Sequence, residues 1–168
     1  LPEDLIELCD GAFECCTNLA GEISTTAAFK MSGYNAFDRT AITSVNFPNF
    51  VGDVVPWAFY ECKQLKTVVM NEKITSFGEK AFYSCSSLET FLPETLPNVT
   101  SMGQNTFQYC NSLASSMFLP AVTKLEYQVF EGVACEEISI PSCTNMEGAC
   151  FYGSNVKKIT HSPDVQLN

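Results

Sequence analysis

Apolar positions in this chain return as a block, not as a steady alternation. A phenylalanine recurs at Phe13, Phe37, Phe59, Phe82, Phe107, Phe130 and Phe151, with spacings of 24, 22, 23, 25, 23 and 21 residues. Its neighbours repeat with it. Five residues earlier stands Leu8, Val54, Phe77, Met102, Leu125 or Met146; in the second block Ser32 takes that place, with Met31 beside it. Eight residues earlier stands Leu5, Phe29, Val51, Ile74, Val99, Val122 or Cys143. Three residues later stands Cys16, Thr40, Cys62, Cys85, Cys110, Val133 or Ser154. An aliphatic position follows at Leu19, Ile42, Leu65, Leu88, Leu113, Cys135 or Val156.

After that position comes a short strand, as in "ITSVNFP", "LKTVVM", "CEEISIP" and "VKKITHS", where alternation at period two marks one buried face. Pro48, Pro93, Pro120 and Pro141 end these strands, because proline offers no N–H to a ladder. A second extended or helical stretch leads to the next phenylalanine. One such unit cannot bury its own apolar side, but units stacked on one another form a continuous core. The pattern therefore predicts a repeat solenoid of about seven coils of ~23 residues. A β-sandwich with evenly spaced strands is the alternative, and it has no need of seven matched phenylalanines.

The segments "AFYECKQL", "AFYSCSSLETF" and "TFQYCNSL", with "ITSFGEKAF" and "VTSMGQNTF" before the corner, resemble the BspA-type, or Treponema pallidum-type, leucine-rich repeat. The likeness runs from Leu5 to about Thr160 and is looser at Phe37 and Phe151, where Thr40 and Ser154 replace the corner cysteine. The resemblance implies a right-handed β/α stack with a parallel sheet of short strands on one face. It also implies a non-catalytic adhesion or protein-interaction module at the cell surface or secreted. Residues 1–168 read as a single solenoid domain. Its ends, "LP" and "SPDVQLN", show no clear polar cap, which fits either a fragment of a longer array or irregular end coils.

Nine lysines and arginines against 19 acidic residues give a net charge of −10. That excess disfavours nucleic acid and anionic membrane surfaces as partners. No apolar run approaches the ~20 residues of a membrane span, so no membrane insertion is expected. Asn98-Val-Thr is a glycosylation triplet of a kind common by chance.

Nine cysteines invite a disulfide or metal reading. Cys16, Cys62, Cys85 and Cys110 share one column, and Cys9, Cys135, Cys143 and Cys150 fall at other inward columns. Eight are thus expected in the core as small buried hydrophobes. Residues stacked in one parallel column point their Cβ vectors alike, which disfavours disulfides. Cys15 is the exception, outward and open to reaction. No CxxC pair exists and His161 is the only histidine, so no metal or cofactor site is expected. Catalysis would have to use His161 in the last coil, and Glu136 and Glu137, adjacent in a strand, face opposite ways. No enzyme is expected.

The strand register offers one candidate surface. With Val68 and Met70 inward, Thr67 and Val69 face out, as do Thr90 and Leu92, and Ser116 and Phe118. Val69, Leu92 and Phe118 are expected side by side, bordered by hydroxyls, as a protein-binding patch. Two plainer readings stand beside this one: strand propensity alone, or a register shift in the longer coils that buries Leu92 or Phe118. The resulting expectation is a protein partner bound on the sheet face, outside the cell. An intracellular scaffold of the same fold, suited to reduced thiols, and an inert spacer are the rivals.

Overall fold

A computed structural model describes residues 1–167. Fifteen strands form among them, in the order β1 (Glu7–Leu8), β2 (Ala20–Ser24), β3 (Lys30–Met31), β4 (Ala41–Asn46), β5 (Gly52–Val54), β6 (Thr67–Val69), β7 (Ile74–Phe77), β8 (Thr90–Leu92), β9 (Ser101–Met102), β10 (Met117–Phe118), β11 (Lys124–Leu125), β12 (Glu137–Ile140), β13 (Asn145–Met146), β14 (Lys158–His161) and β15 (Gln166–Leu167). Every pairing is parallel and joins a strand to the one two places on. The chain therefore winds with two strands per coil, one on each of two faces. Even-numbered strands form β2–β4–β6–β8 and β10–β12–β14; odd-numbered strands form β1–β3, β5–β7–β9 and β11–β13–β15.

The expected helical component is absent from the described residues. The stretch before each phenylalanine is a strand, and the phenylalanine sits on a corner of turns. The physical reason lies in backbone angles. Two residues before each anchor, φ is positive at Gly11, Asn35, Trp57, Lys80, Asn105, Gln128 and Ala149. Two residues after, it is positive at Cys15, Arg39, Glu61, Ser84, Tyr109, Gly132 and Gly153. L-residues disfavour this region by roughly 1–2 kcal/mol, and no right-handed helix passes through it. What the corner gains is hydrogen bonding between coils. Around Phe59, the N–H groups of Trp57, Phe59 and Glu61 donate to the carbonyls of Glu79, Ala81 and Tyr83 in the next coil, at 2.9, 2.8 and 2.8 Å. Every coil repeats this three-bond stitch to its successor.

The anchor rings fill the interior as one column. Phe13, Phe37, Phe59, Phe82, Phe107, Phe130 and Phe151 stack in sequence, with centroids 5.0–6.0 Å apart and planes within 14° of parallel. The spacing is close to the ~4.7–4.9 Å distance between paired strands, so identical rings in register must lie over one another. Phe77 and Phe91 meet this column edge-on from the two strand faces.

The aliphatic columns hold as read, with local shifts. Met31, not Ser32, pairs with Leu8 and is buried. Phe50 takes the core place expected of Val51, which is half-buried, beside a register shift at Gly52/Asp53. Six cysteines are buried, but Cys9 and Cys16 are exposed together with Cys15. The expectation for Cys16 fails because the first coil has a stacked neighbour on one side only among the described residues. That for Cys9 fails because its column, four residues before the anchor, is not an inward one, and Gly33, Gly78, Gly103, Glu126 and Glu147 in it are not buried either. The corner cysteines show why that residue recurs. The thiols of Cys62, Cys85 and Cys110 donate to the carbonyls of Phe37, Phe59 and Phe82, one coil back, at 3.0–3.1 Å. Burial pushes the Cys62 thiol up to about 11 and raises those of Cys85 and Cys110 well above the ordinary thiol range.

Three outcomes follow. Phe82→Ala removes a fully buried ring from mid-column and is expected to cost about 3–5 kcal/mol in denaturant unfolding. Gly103→Ala would place a Cβ 2.5 Å from the backbone nitrogen of Glu79. It is expected to cost about 1–3 kcal/mol by the same measurement. A thiol reagent near pH 8 should label Cys9, Cys15 and Cys16 at once and the buried cysteines only after unfolding, because a raised pKa leaves the buried groups as protonated thiols.

Candidate protein-interaction face

The even-numbered strands position the candidate patch. Val45, Val68 and Phe91 turn inward and are fully buried. Alternation then forces their neighbours out. Register aligns Glu22, Ser44, Thr67 and Thr90 in one outward row, and Ser24, Asn46, Val69 and Leu92 in the next. Val69 and Leu92 are thus direct cross-strand neighbours, with Thr67 and Thr90 beside them. Leu92 is 40% exposed, while Thr67, Val69 and Thr90 are half-buried.

Phe118 does not complete the row. The even ladder breaks between β8 and β10, in the coil whose anchors stand 25 residues apart. Pro93 and Pro97 remove two donors from that stretch. Phe118 bridges to Thr95 instead; its N–H donates to the Glu94 carbonyl at 2.8 Å and its carbonyl accepts from Leu96 at 2.9 Å. It lies past a step in the sheet, half-buried, as is Ser116. Neighbouring Ser115 offers its hydroxyl to the Phe91 N–H at 2.9 Å, in place of a ladder carbonyl. Beyond the step, Phe118 pairs with Ser139 and Ser139 with Thr160. Lys158 closes on Glu137 at 2.9 Å.

The corner carries a second surface that the sequence reading did not single out. Tyr60 stacks on Tyr83 at 5.0 Å and 7°, Tyr34 packs on Trp57 at 5.5 Å, and Arg39 lies over Tyr60 at 5.4 Å. A groove of about 340 Å³ opens there, with Trp57, Tyr60, Arg39 and Lys80 among its walls. The available signal is the recurrence of tyrosine one residue after the anchor, at Tyr60 and Tyr83. Asp38 occupies the same column and is almost wholly buried, which pushes its carboxyl up, with the Arg39 guanidinium opposing.

The residues weighed for catalysis stay apart. His161 is exposed, its Nδ1 2.6 Å from the Ser162 carbonyl. Glu136 and Glu137 each pair with a lysine of the last coil, Lys157 at 2.6 Å and Lys158 at 2.9 Å.

With two strands and one phenylalanine corner per coil in view, the sequence matches six copies of the BspA type leucine-rich repeat region, over residues 1–96 and 92–167. The chain belongs to this family. Among solved structures, this BspA-type solenoid is similar to a leucine-rich repeat protein from Bacteroides ovatus, at 23% identity and a TM-score of 0.78. It is also similar to a leucine rich cell surface protein from Faecalibacterium prausnitzii, at 22% identity and a TM-score of 0.53. In both cases 96% of this chain is covered and 43% of the other, so the chain spans less than half the length of either neighbour. These likenesses establish the fold. No curated protein matches the sequence.

Proposed function

We propose that this BspA-type solenoid is a non-catalytic interaction module that binds a protein partner on its even-strand face. The observation that carries the reading is the register setting Val69 against Leu92 on an open four-strand ladder, inside rows of hydroxyl, amide and carboxylate side chains. A small apolar centre within a polar rim is the usual anatomy of a protein interface. Rigidity supports it: each strand is held by ladder bonds and each corner by three more, so few rotamers remain to be ordered on binding. Phe118, across the step, gives the same partner a second apolar foothold, with Ser116, Thr67 and Thr90 as hydrogen-bonding neighbours.

The reading places the module at the cell surface or secreted, in an adhesive role. Support comes from the family and from the name of the Faecalibacterium neighbour, a cell surface protein. Nucleic acid is not the expected partner, given the net charge of −10.

The test is a screen against purified extracellular proteins, run with the native chain and with the triple variant Val69→Ser, Leu92→Ser, Phe118→Ser. All three side chains lie outside the phenylalanine column, so the variant should keep its fold by circular dichroism. Partner affinity should fall about tenfold or more, the effect of losing central interface side chains. Equal binding by a folded triple variant would sink the assignment of this face.

A further inference from the structure

The corners of the first two coils bring adjacent Glu14 and Cys15 together with Asp38, 24 and 23 residues further along the chain. A carboxylate oxygen of Glu14, the Sγ of Cys15 and a carboxylate oxygen of Asp38 all lie within 4.8 Å of one another. The geometry follows from the repeat. Glu14 and Asp38 each stand one residue after an anchor phenylalanine, so stacking sets them side by side. Cys15, in the left-handed conformation with φ 55°, donates its N–H to the Asp38 carbonyl at 2.8 Å, which ties the two coils at this point.

Asp38 is the unusual member. Its side chain is 6% exposed, and Oδ1 accepts no hydrogen bond among the described residues. A buried carboxylate oxygen without a donor is costly and calls for a compensating charge. Arg39 supplies part of it, with Nη1 3.6 Å from Asp38 Oδ2 and 3.8 Å from Cys15 Sγ. The distance to Asp38 exceeds that of a close ion-pair hydrogen bond, about 2.7–2.9 Å, while the contact to sulfur is a long hydrogen bond. In this same position the guanidinium lies over the Tyr60 ring, 5.4 Å away. The site therefore concentrates negative charge and a thiol while its resident cation holds the Asp38 carboxylate loosely.

We propose that Glu14, Cys15 and Asp38 bind a thiophilic divalent cation of the zinc class, and that the ion staples the first coil to the second. A thiolate and two carboxylates are a donor set that zinc accepts, leaving a fourth position for water. Tetrahedral bonds of about 2.0–2.3 Å put neighbouring donor atoms about 3.5 Å apart. Closing from the present spread needs side-chain rotation at Glu14 and Cys15, both exposed, while Asp38 stays fixed. Binding releases the Cys15 proton to solvent, and Arg39 gives up its contacts with Asp38 and Cys15 and swings out to solvent. Sequence spacing alone hides this set, because it shows no CxxC pair and no histidine nearby. The proposal concerns the corner and is independent of the partner-binding face.

The experiment titrates the reduced, whole chain with cadmium as a spectroscopic stand-in for zinc, in excess magnesium to occupy unspecific acidic sites. A sulfur-to-cadmium charge-transfer band should appear with one equivalent of metal, and zinc should raise the melting temperature. Cys15→Ser should abolish the band and the thermal shift. Glu14→Gln, at an exposed position that leaves the fold intact, and Asp38→Asn should each weaken binding by more than the roughly ten- to hundredfold typical of losing an outer-shell partner. The double variant Cys9→Ser, Cys16→Ser should behave as the native chain. A band that persists in Cys15→Ser, that vanishes in the Cys9/Cys16 variant, or that never forms overturns the site, as does undiminished binding by Glu14→Gln.

Discussion

Stacking coil upon coil at the strand-pairing distance is the constraint from which this molecule is built. Each of the first six corners donates three N–H groups to the next coil, and those bonds fix both pitch and register. Once the register is fixed, equivalent residues must meet. The seven rings then form a column whose neighbours lie 5.0–6.0 Å apart and nearly parallel. Offset parallel rings of this kind contribute about 0.5–1.5 kcal/mol per pair beyond the area they bury. The corner accepts a cost in exchange, since eleven residues other than glycine hold positive φ there. Tolerance of Trp57, Glu61 or Lys80 at such positions shows that the stitch between coils dominates local preference.

The same register turns a linear repeat into surfaces. On the even-strand side it produces rows of like position, so that single residues of no special chemistry become a patch by adjacency. On the corner it produces the Tyr60–Tyr83 stack and the Glu14, Cys15 and Asp38 cluster. The thiol ladder is a third product. Cysteine is small enough for the corner and can donate to the carbonyl of the anchor one coil back, which explains its use at Cys62, Cys85 and Cys110 better than any redox role.

Departures from the repeat are equally instructive. Where anchors stand 25 residues apart, Pro93 and Pro97 interrupt the ladder and Phe118 lands beside Thr95 and not beside Leu92. At the first coil, Cys16 keeps its column and loses its burial. Both follow from one rule: a column position is inward only if its coil has a neighbour in register on the proper side.

The sequence by itself determined the period, the phenylalanine column, the inward aliphatic positions and the outward placement of Thr67, Val69, Thr90 and Leu92. These are legible because identical positions recur and hydrophobic burial acts at each of them alike. Only the tertiary structure decided the extended form of the stretch before each anchor, the break that separates Phe118 from Leu92, and the gathering of Glu14 and Cys15 with Asp38. Each of those depends on backbone angles and on hydrogen bonds between residues more than twenty places apart. A one-dimensional pattern records which side chains repeat, but the partner of an N–H is set by the pitch of the stack.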